Sequence, residues 1–352
     1  MRHNILQSSR HLIIIGTVIL TATLTGCGSK QKTFTFETTQ EAVSTCRQEL
    51  ARILPMTKCD IGQLGQLTSN WLTLQDSTFC VMMRDSTLQK DNELTSEFFA
   101  IADSFRIKLT QLALSERRTM KEVVSLKVAT SNGRKALIRS KDYQTAQAFF
   151  KKMDQEPIYA DLGKTLSAYD DLLTETEPFK TEQQLYHFIQ QEDKCFRSLL
   201  AHLSEVPQPR LQTITDQTST LFNTLYKDAM TNQNDKASER VMLYLTMRFN
   251  RRIIQNAEAC QTDIKAQKSL TKQQGANYRW MLIQPFMSID DQAMAALTSQ
   301  QVESLEKMAE ELPRLLAYID GKDYDHTPKE ETNKLADVLS EYFLKSYLRS
   351  IL

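Results

Sequence analysis

Nine glycines and eight prolines in 352 residues leave this chain few places to turn tightly, and that scarcity constrains the fold most. Sandwiches, barrels and propellers need Gly, Asn and Pro at fixed turn positions, so an all-β architecture lacks its raw material. The apolar residues instead recur at helical spacing. Val43, Cys46, Leu50 and Ile53 form one stripe, Ile61, Leu64, Leu67, Trp71 and Leu74 a second, and Phe98, Ala102, Phe105, Leu109 and Leu112 a third. No unit repeats at a fixed interval, which argues against a solenoid. The predicted fold is all-α, an irregular bundle of about ten or more antiparallel helices, with room for two subdomains.

Capping signals mark where the helices begin. Thr38 with Glu41, Thr119 with Glu122, Thr181 with Gln184 and Thr298 with Gln301 read as capping boxes, and Asp60 as a simple cap. Thr327, Pro328 and Glu330 give the last helix the strongest start of all, ahead of Leu335, Val338, Leu339, Tyr342 and Phe343 as a broad apolar face. Pro55, Ser131-Asn132-Gly133, Pro157 and Pro285 read as stops, and Pro313 as a kink or split. The longest helical run extends from Asp235 to about Lys268, with Phe249 and Cys260 on its stripe. Pro207-Gln208-Pro209 is the clearest break, which predicts an N-terminal helical region over 38–206 and a C-terminal one over 207–352.

The first 27 residues have a different character. Arg2 and Arg10 bracket a positive start, no acid precedes Glu37, and Leu12 to Leu24 is an uncharged, mostly apolar run. A spanning helix takes about 20 apolar residues, so this shorter run reads as the core of a secretory signal over 1–26. It ends in Leu24-Thr25-Gly26-Cys27, which resembles the lipobox of bacterial lipoproteins. The resemblance implies a diacylglyceryl group on the Cys27 sulfur, cleavage before Cys27, and a further acyl chain such as palmitate on the new amino terminus. Two or more acyl chains hold a protein at a leaflet without spanning it.

Gly28 stands where an Asp would resemble an inner-membrane retention signal, and Ser29-Lys30-Gln31-Lys32 lacks the acidic run of Bacteroidetes-type surface lipoproteins. The expected location is the periplasmic face of the outer membrane. Residues 27–37 read as a lipidated tether, in which Phe34 and Phe36 alternate with threonines and suit a brief contact with the body. Charges balance at 43 basic against 43 acidic side chains, and losing residues 1–26 removes two arginines and no acid. That balance lacks the electrostatic footprint of a nucleic-acid binder.

Export makes disulfides available to Cys46, Cys59, Cys80, Cys195 and Cys260. Any pair among the first three would staple the opening helices, and Cys195 with Cys260 would join two long ones. The alternative is that they serve as small buried apolar groups. No spacing among them suits zinc, haem or thioredoxin-like chemistry, and no metal or cofactor is expected.

His187, His202 and His326 are too scattered to share a metal. The SxxK string Ser269–Lys272 resembles that of serine penicillin-recognising enzymes but lacks its partner motifs. Asp320, Asp323, Asp325 and Glu330 miss the glycine of an EF-hand loop. Ala136 to Tyr143 distantly resembles the acid-bearing helix of lytic transglycosylases, yet places Lys141 at the acid's position. No catalytic residue is therefore assigned.

The expected function is that of a non-catalytic binding or scaffold lipoprotein of the cell envelope, meeting the membrane through Cys27 and an envelope protein through its body. A solute- or glycan-capturing lipoprotein resembling the SusD group is the alternative, although Trp71 and Trp280 both fall on core-like stripes. An envelope hydrolase whose acid and base meet only in the fold is the third.

Overall fold

The computed structural model describes residues 34–89, 93–131, 133–174, 181–231, 236–267, 269–322 and 329–352. The signal segment, Cys27, Asn132, Asp235, Lys268 and the Thr327-Pro328 start lie outside these residues. Fourteen α-helices and one short 3-10 turn, but no strand, occur among the described residues. The chain divides into two units, so the expectation of an all-helical bundle holds and that of its boundary changes. Unit 1 takes the chain to Leu137, then Asp290–Ala295 and Leu335–Leu352; unit 2 takes Ile138–Ile289 and Ala296–Lys334.

Unit 1 is built on α1 (Thr39–Ile53), α2 (Ile61–Arg84), α3 (Glu93–Leu114) and α4 (Met120–Thr130). The short α5 (Arg134–Leu137) follows, and α12 (Asp291–Ala295) packs on α4 and α5. Helix α2 packs on α1, α3 and α4. Its start carries a full capping box, with the Asp60 side chain on the Gln63 N–H and the Gln63 side chain on the Asp60 N–H. Thr119 and Glu122 form the box expected of them at the head of α4. Only half of the expected box forms at α1: Thr38 accepts the Glu41 N–H, while the Glu41 carboxylate accepts the Glu37 N–H instead of returning to Thr38. A Cβ on Gly65 would lie 3.3 Å from the Ala129 Cβ, so the missing side chain lets α2 and α4 approach closely. Trp71 stacks on Phe105 with centroids 3.8 Å apart, in a core completed by Leu64, Leu74, Met82, Phe98 and Leu109.

Two polar ties close this unit's helix ends. Asp85, the C-cap of α2, accepts from both the N–H (3.1 Å) and the hydroxyl (2.9 Å) of Thr39. Buried Arg118 donates to the carbonyls of Cys59 and Ala113, which satisfies backbone acceptors that water does not reach. The last helix, α14 (Lys329–Ile351), buries Phe343, Leu344, Tyr347 and Leu348. Val338 and Tyr342 are mostly exposed, so the expected broad apolar face is narrower and set one position further round.

Unit 2 is organised around α10 (Lys236–Ala266), the longest helix, as its uninterrupted pattern predicts. It packs on α6 (Lys141–Met153), α8 (Glu182–Ala201), α9 (Gln208–Thr231), α11 (Lys272–Ser288) and α13 (Ser299–Ile319), while α7 (Leu162–Thr174) packs on α8 and α9. The capping boxes expected at Thr181 and Thr298 are both present.

The predicted break at Pro207 lies inside unit 2. The Pro207 carbonyl accepts from the N–H groups of Arg210 (2.9 Å) and Leu211 (3.0 Å), so the proline pair opens α9. There Pro209 sits in a first turn that needs no N–H from it. Leu203, Val206, Leu211 and Ile214 are all buried, and the core continues across the turn. Pro285 does not end α11, nor does Pro313 split α13. Each is itself buried, beside Leu282 and Phe286 in one case and Leu312, Leu315 and Leu316 in the other. Apolar burial at these positions offsets the roughly 3 kcal/mol cost of an interior proline.

The two tryptophans separate the two faces that helical spacing alone cannot tell apart. Trp71 is 2% exposed and Trp280 is 58% exposed. Trp71→Ala is expected to cost about 3–5 kcal/mol in urea unfolding, whereas Trp280→Ala should stay within about 0.5 kcal/mol of the parent.

Candidate functional site

Two features stand out as built rather than incidental. The first is the seat of the N-terminal segment on unit 1. Phe34 to Glu37 runs along α1 and α2 without joining a helix, as the sequence suggested. Arg84, at the end of α2, donates to the carbonyls of Phe36 (3.4 Å) and Glu37. Phe34 and Phe36 stack with centroids 6.1 Å apart. Phe34 borders a small hollow with Arg52, Ile53, Asn70, Trp71 and Phe105. The two carbonyl acceptors for Arg84 and the placement of Phe34 at this hollow thus hold the segment without a regular element.

The second is a network of charges buried in unit 2. Helical spacing sets Arg248, Arg251 and Arg252 on the side of α10 that meets α8, where Glu192 and Asp193 are buried. Glu192 pairs with Arg248 (2.9 Å) and with Arg252, and Asp193 pairs with Arg251 (2.8 Å) and Arg197 (2.7 Å). Arg251 also reaches Asp154 at 2.6 Å. The Tyr169 hydroxyl donates to Glu192 at 3.4 Å. The guanidinium of Arg248 lies 3.2 Å from the Phe222 ring centroid, and that of Arg252 lies 4.2 Å from that of Phe196.

Burial works to raise Glu192, but Arg248 and Arg252 outweigh it and hold the carboxyl below its ordinary range. Burial, with repulsion from Arg252, brings Arg248 down to about 10 despite Glu192. Both groups are therefore charged at neutral pH. A carboxylate held ionised in this way anchors guanidinium groups and does not serve as a general acid. The apolar stripes alone do not reveal the network, because its partners lie about 55–60 residues apart in the chain. The available signal was Glu192-Asp193 and Arg251-Arg252 interrupting the apolar stripes of two long helices.

The cysteines form none of the bonds considered for them: Cys46, Cys59, Cys80, Cys195 and Cys260 are five free thiols. Each packs in its own surroundings. Cys46 lies 3.3 Å from the Thr78 hydroxyl, Cys59 4.0 Å from the Leu112 carbonyl and Cys260 3.2 Å from the Met281 sulfur. Burial pushes the Cys46 thiol up to about 11, and burial with Glu192 pushes Cys195 up to about 12, so these thiols behave as small apolar groups. Cys80 is exposed, and it is raised by partial burial and by Asp76 one turn away.

The remaining sequence candidates do not converge. His187 is exposed, His202 ends α8 with Nδ1 3.2 Å from Glu205, and His326 lies outside the described residues. Thr271 of the SxxK string caps α11 in a box with Gln274, and Lys141 opens α6 behind its cap Ser140. Asp320 pairs with Arg279, and Asp323 and Asp325 lie outside the described residues. Among the described residues no three His, Cys, Asp or Glu side chains gather as a metal site would require. No protein-family model, no curated protein and no solved structure matches the chain.

Glu192→Gln removes the countercharge from two buried guanidiniums and should destabilise the protein by about 3–5 kcal/mol in urea unfolding. Asp76 supplies a pH test. Burial raises its carboxyl from 3.8 to about 6. A raised carboxyl pKa favours the folded state below the unfolded value and loses that contribution as pH climbs through the folded one. Between pH 4 and pH 7 the parent should therefore lose on the order of 1 kcal/mol relative to Asp76→Asn, once the hydration of this half-buried group is allowed for.

Proposed function

We propose that this chain is a lipid-anchored helical protein of the bacterial cell envelope that works as a non-catalytic binding or scaffold protein. The observation that carries the reading is the N-terminal constellation: basic Arg2 and Arg10, the apolar run Leu12–Leu24, and Leu24-Thr25-Gly26-Cys27 at its end. Cys27 is the acyl acceptor, and the periplasmic face of the outer membrane is the site of attachment. The seating of Phe34 to Glu37 on unit 1 supports it, since a tether needs a firm hold on the body it retains. Among the described residues no helix is long and apolar enough to cross a membrane.

One observation favours a second reading, capture of a glycan or similar solute. Trp280 presents its ring on the surface of α11, and exposed aromatic faces suit sugar rings. With Trp71 buried, a fluorescence change that oligosaccharide induces and Trp280→Phe abolishes would support this reading over a purely protein partner.

Cys27→Ala tests the anchor. The parent should sediment with the envelope, carry acyl chains on Cys27 by mass spectrometry and begin at that residue. The variant should lose acylation and remain unprocessed. A parent found unacylated and free in the cytosol would overturn the proposal.

A further inference from the structure

The buried charges of unit 2 do not balance. Arg251 and Arg197 are matched by Asp193 and Asp154, two carboxylates for two guanidiniums. Among the described residues, Arg248 and Arg252 share a single carboxylate partner, Glu192. Glu192 and Arg248 are buried and Arg252 is 14% exposed, so this trio carries a net positive charge largely out of water. The Tyr169 phenol that donates to Glu192 does not cancel it, because burial pushes that phenol well above its ordinary range and keeps it neutral. A buried cation without a countercharge is costly.

Two donors beside the trio are also unused among the described residues. Arg248 Nη2 lies 2.9 Å from Glu192, yet its hydrogens are not directed at the carboxylate and no hydrogen-bond partner takes them. Thr218 on α9 is 1% exposed, and its hydroxyl has no partner either. Thr213, Thr224 and Thr231 on the same helix each donate to the carbonyl four residues back, which Thr218 forgoes. Its place follows from the packing. Phe222, one turn further along α9, lies against Arg248. Helix α9 ends at Thr231 and α10 begins at Lys236, so the two run antiparallel where they pack. One turn back from Phe222 on α9 then matches one turn forward from Arg248 on α10, which is Arg252.

We infer that unit 2 holds one small monovalent anion of the halide class where α9 packs on α10, between Arg248, Arg252 and the Thr218 hydroxyl. One negative charge restores the balance, and a spherical ion accepts N–H and O–H donors from any direction. Phosphate or sulfate would bring a second charge and more oxygens than these donors satisfy. The site makes no use of Cys27, so it stands or falls apart from the anchor.

The probes are chloride and bromide, added to the full chain with isethionate holding the ionic strength constant. Replacing isethionate by chloride is expected to raise the melting temperature along a saturating curve, by about 4 °C once chloride exceeds its Kd a hundredfold. Thr218→Val keeps the side-chain volume and should weaken the apparent chloride affinity about tenfold, as loss of one hydrogen bond to a charged group requires. Arg248→Met leaves Glu192 matched by Arg252 alone and should abolish the chloride response, with circular dichroism confirming that the helices remain. Crystals grown from bromide should show an anomalous peak beside Arg248 and Thr218. Melting that is the same in chloride and isethionate overturns the inference, as does an undiminished response in Thr218→Val or a bromide-grown crystal with no anomalous peak at that place.

Discussion

Taking guanidinium and carboxylate groups out of water is costly, and unit 2 does so between its two principal helices. The Glu192 and Asp193 carboxylates meet Arg248, Arg251 and Arg252 where an ordinary core would place leucines. Apolar contacts would hold α8 to α10 at several neighbouring registers. Paired charges tolerate only the alignment in which each finds its counterpart, since a slip of one turn strands a buried ion. Phe196 and Phe222 reinforce the same alignment by presenting ring faces to Arg252 and Arg248. The other helices of unit 2 that pack on α10 inherit its position from this lock.

Unit 1 reaches the same end by different means. Its core is apolar and aromatic, with Trp71 on Phe105 at its centre, and its specificity lies at the helix ends. Asp85 on Thr39, and Arg118 on the carbonyls of Cys59 and Ala113, fasten one helix terminus to another. The close crossing at Gly65 then fixes how deeply α4 sits on α2.

The helices themselves were legible in the sequence. Asp60, Thr119, Thr181 and Thr298 cap where they were expected to, because a cap is a local contact between residues three apart. What depends on a distant neighbour was not legible. Spacing put Trp71 and Trp280 on comparable stripes, and only the packing partners bury one and expose the other. Phe249 is likewise partly exposed on a helix whose buried side is shared among several partners. Pro285 looked like an ending and Pro313 like a kink or split because their local cost is real, yet the packing around them is non-local. The buried arginines were hidden for the same reason. Of the candidate site, the segment around Phe34 was readable, whereas Arg84, 47 residues beyond Glu37, was not.

The contacts at Arg84 and Asp85 have a mechanical consequence. A pull on the amino terminus would first meet Arg84 bridging to the Phe36 and Glu37 carbonyls, then Asp85 holding the first residue of α1. Force applied there passes into the far end of α2 instead of peeling α1 open from its first turn.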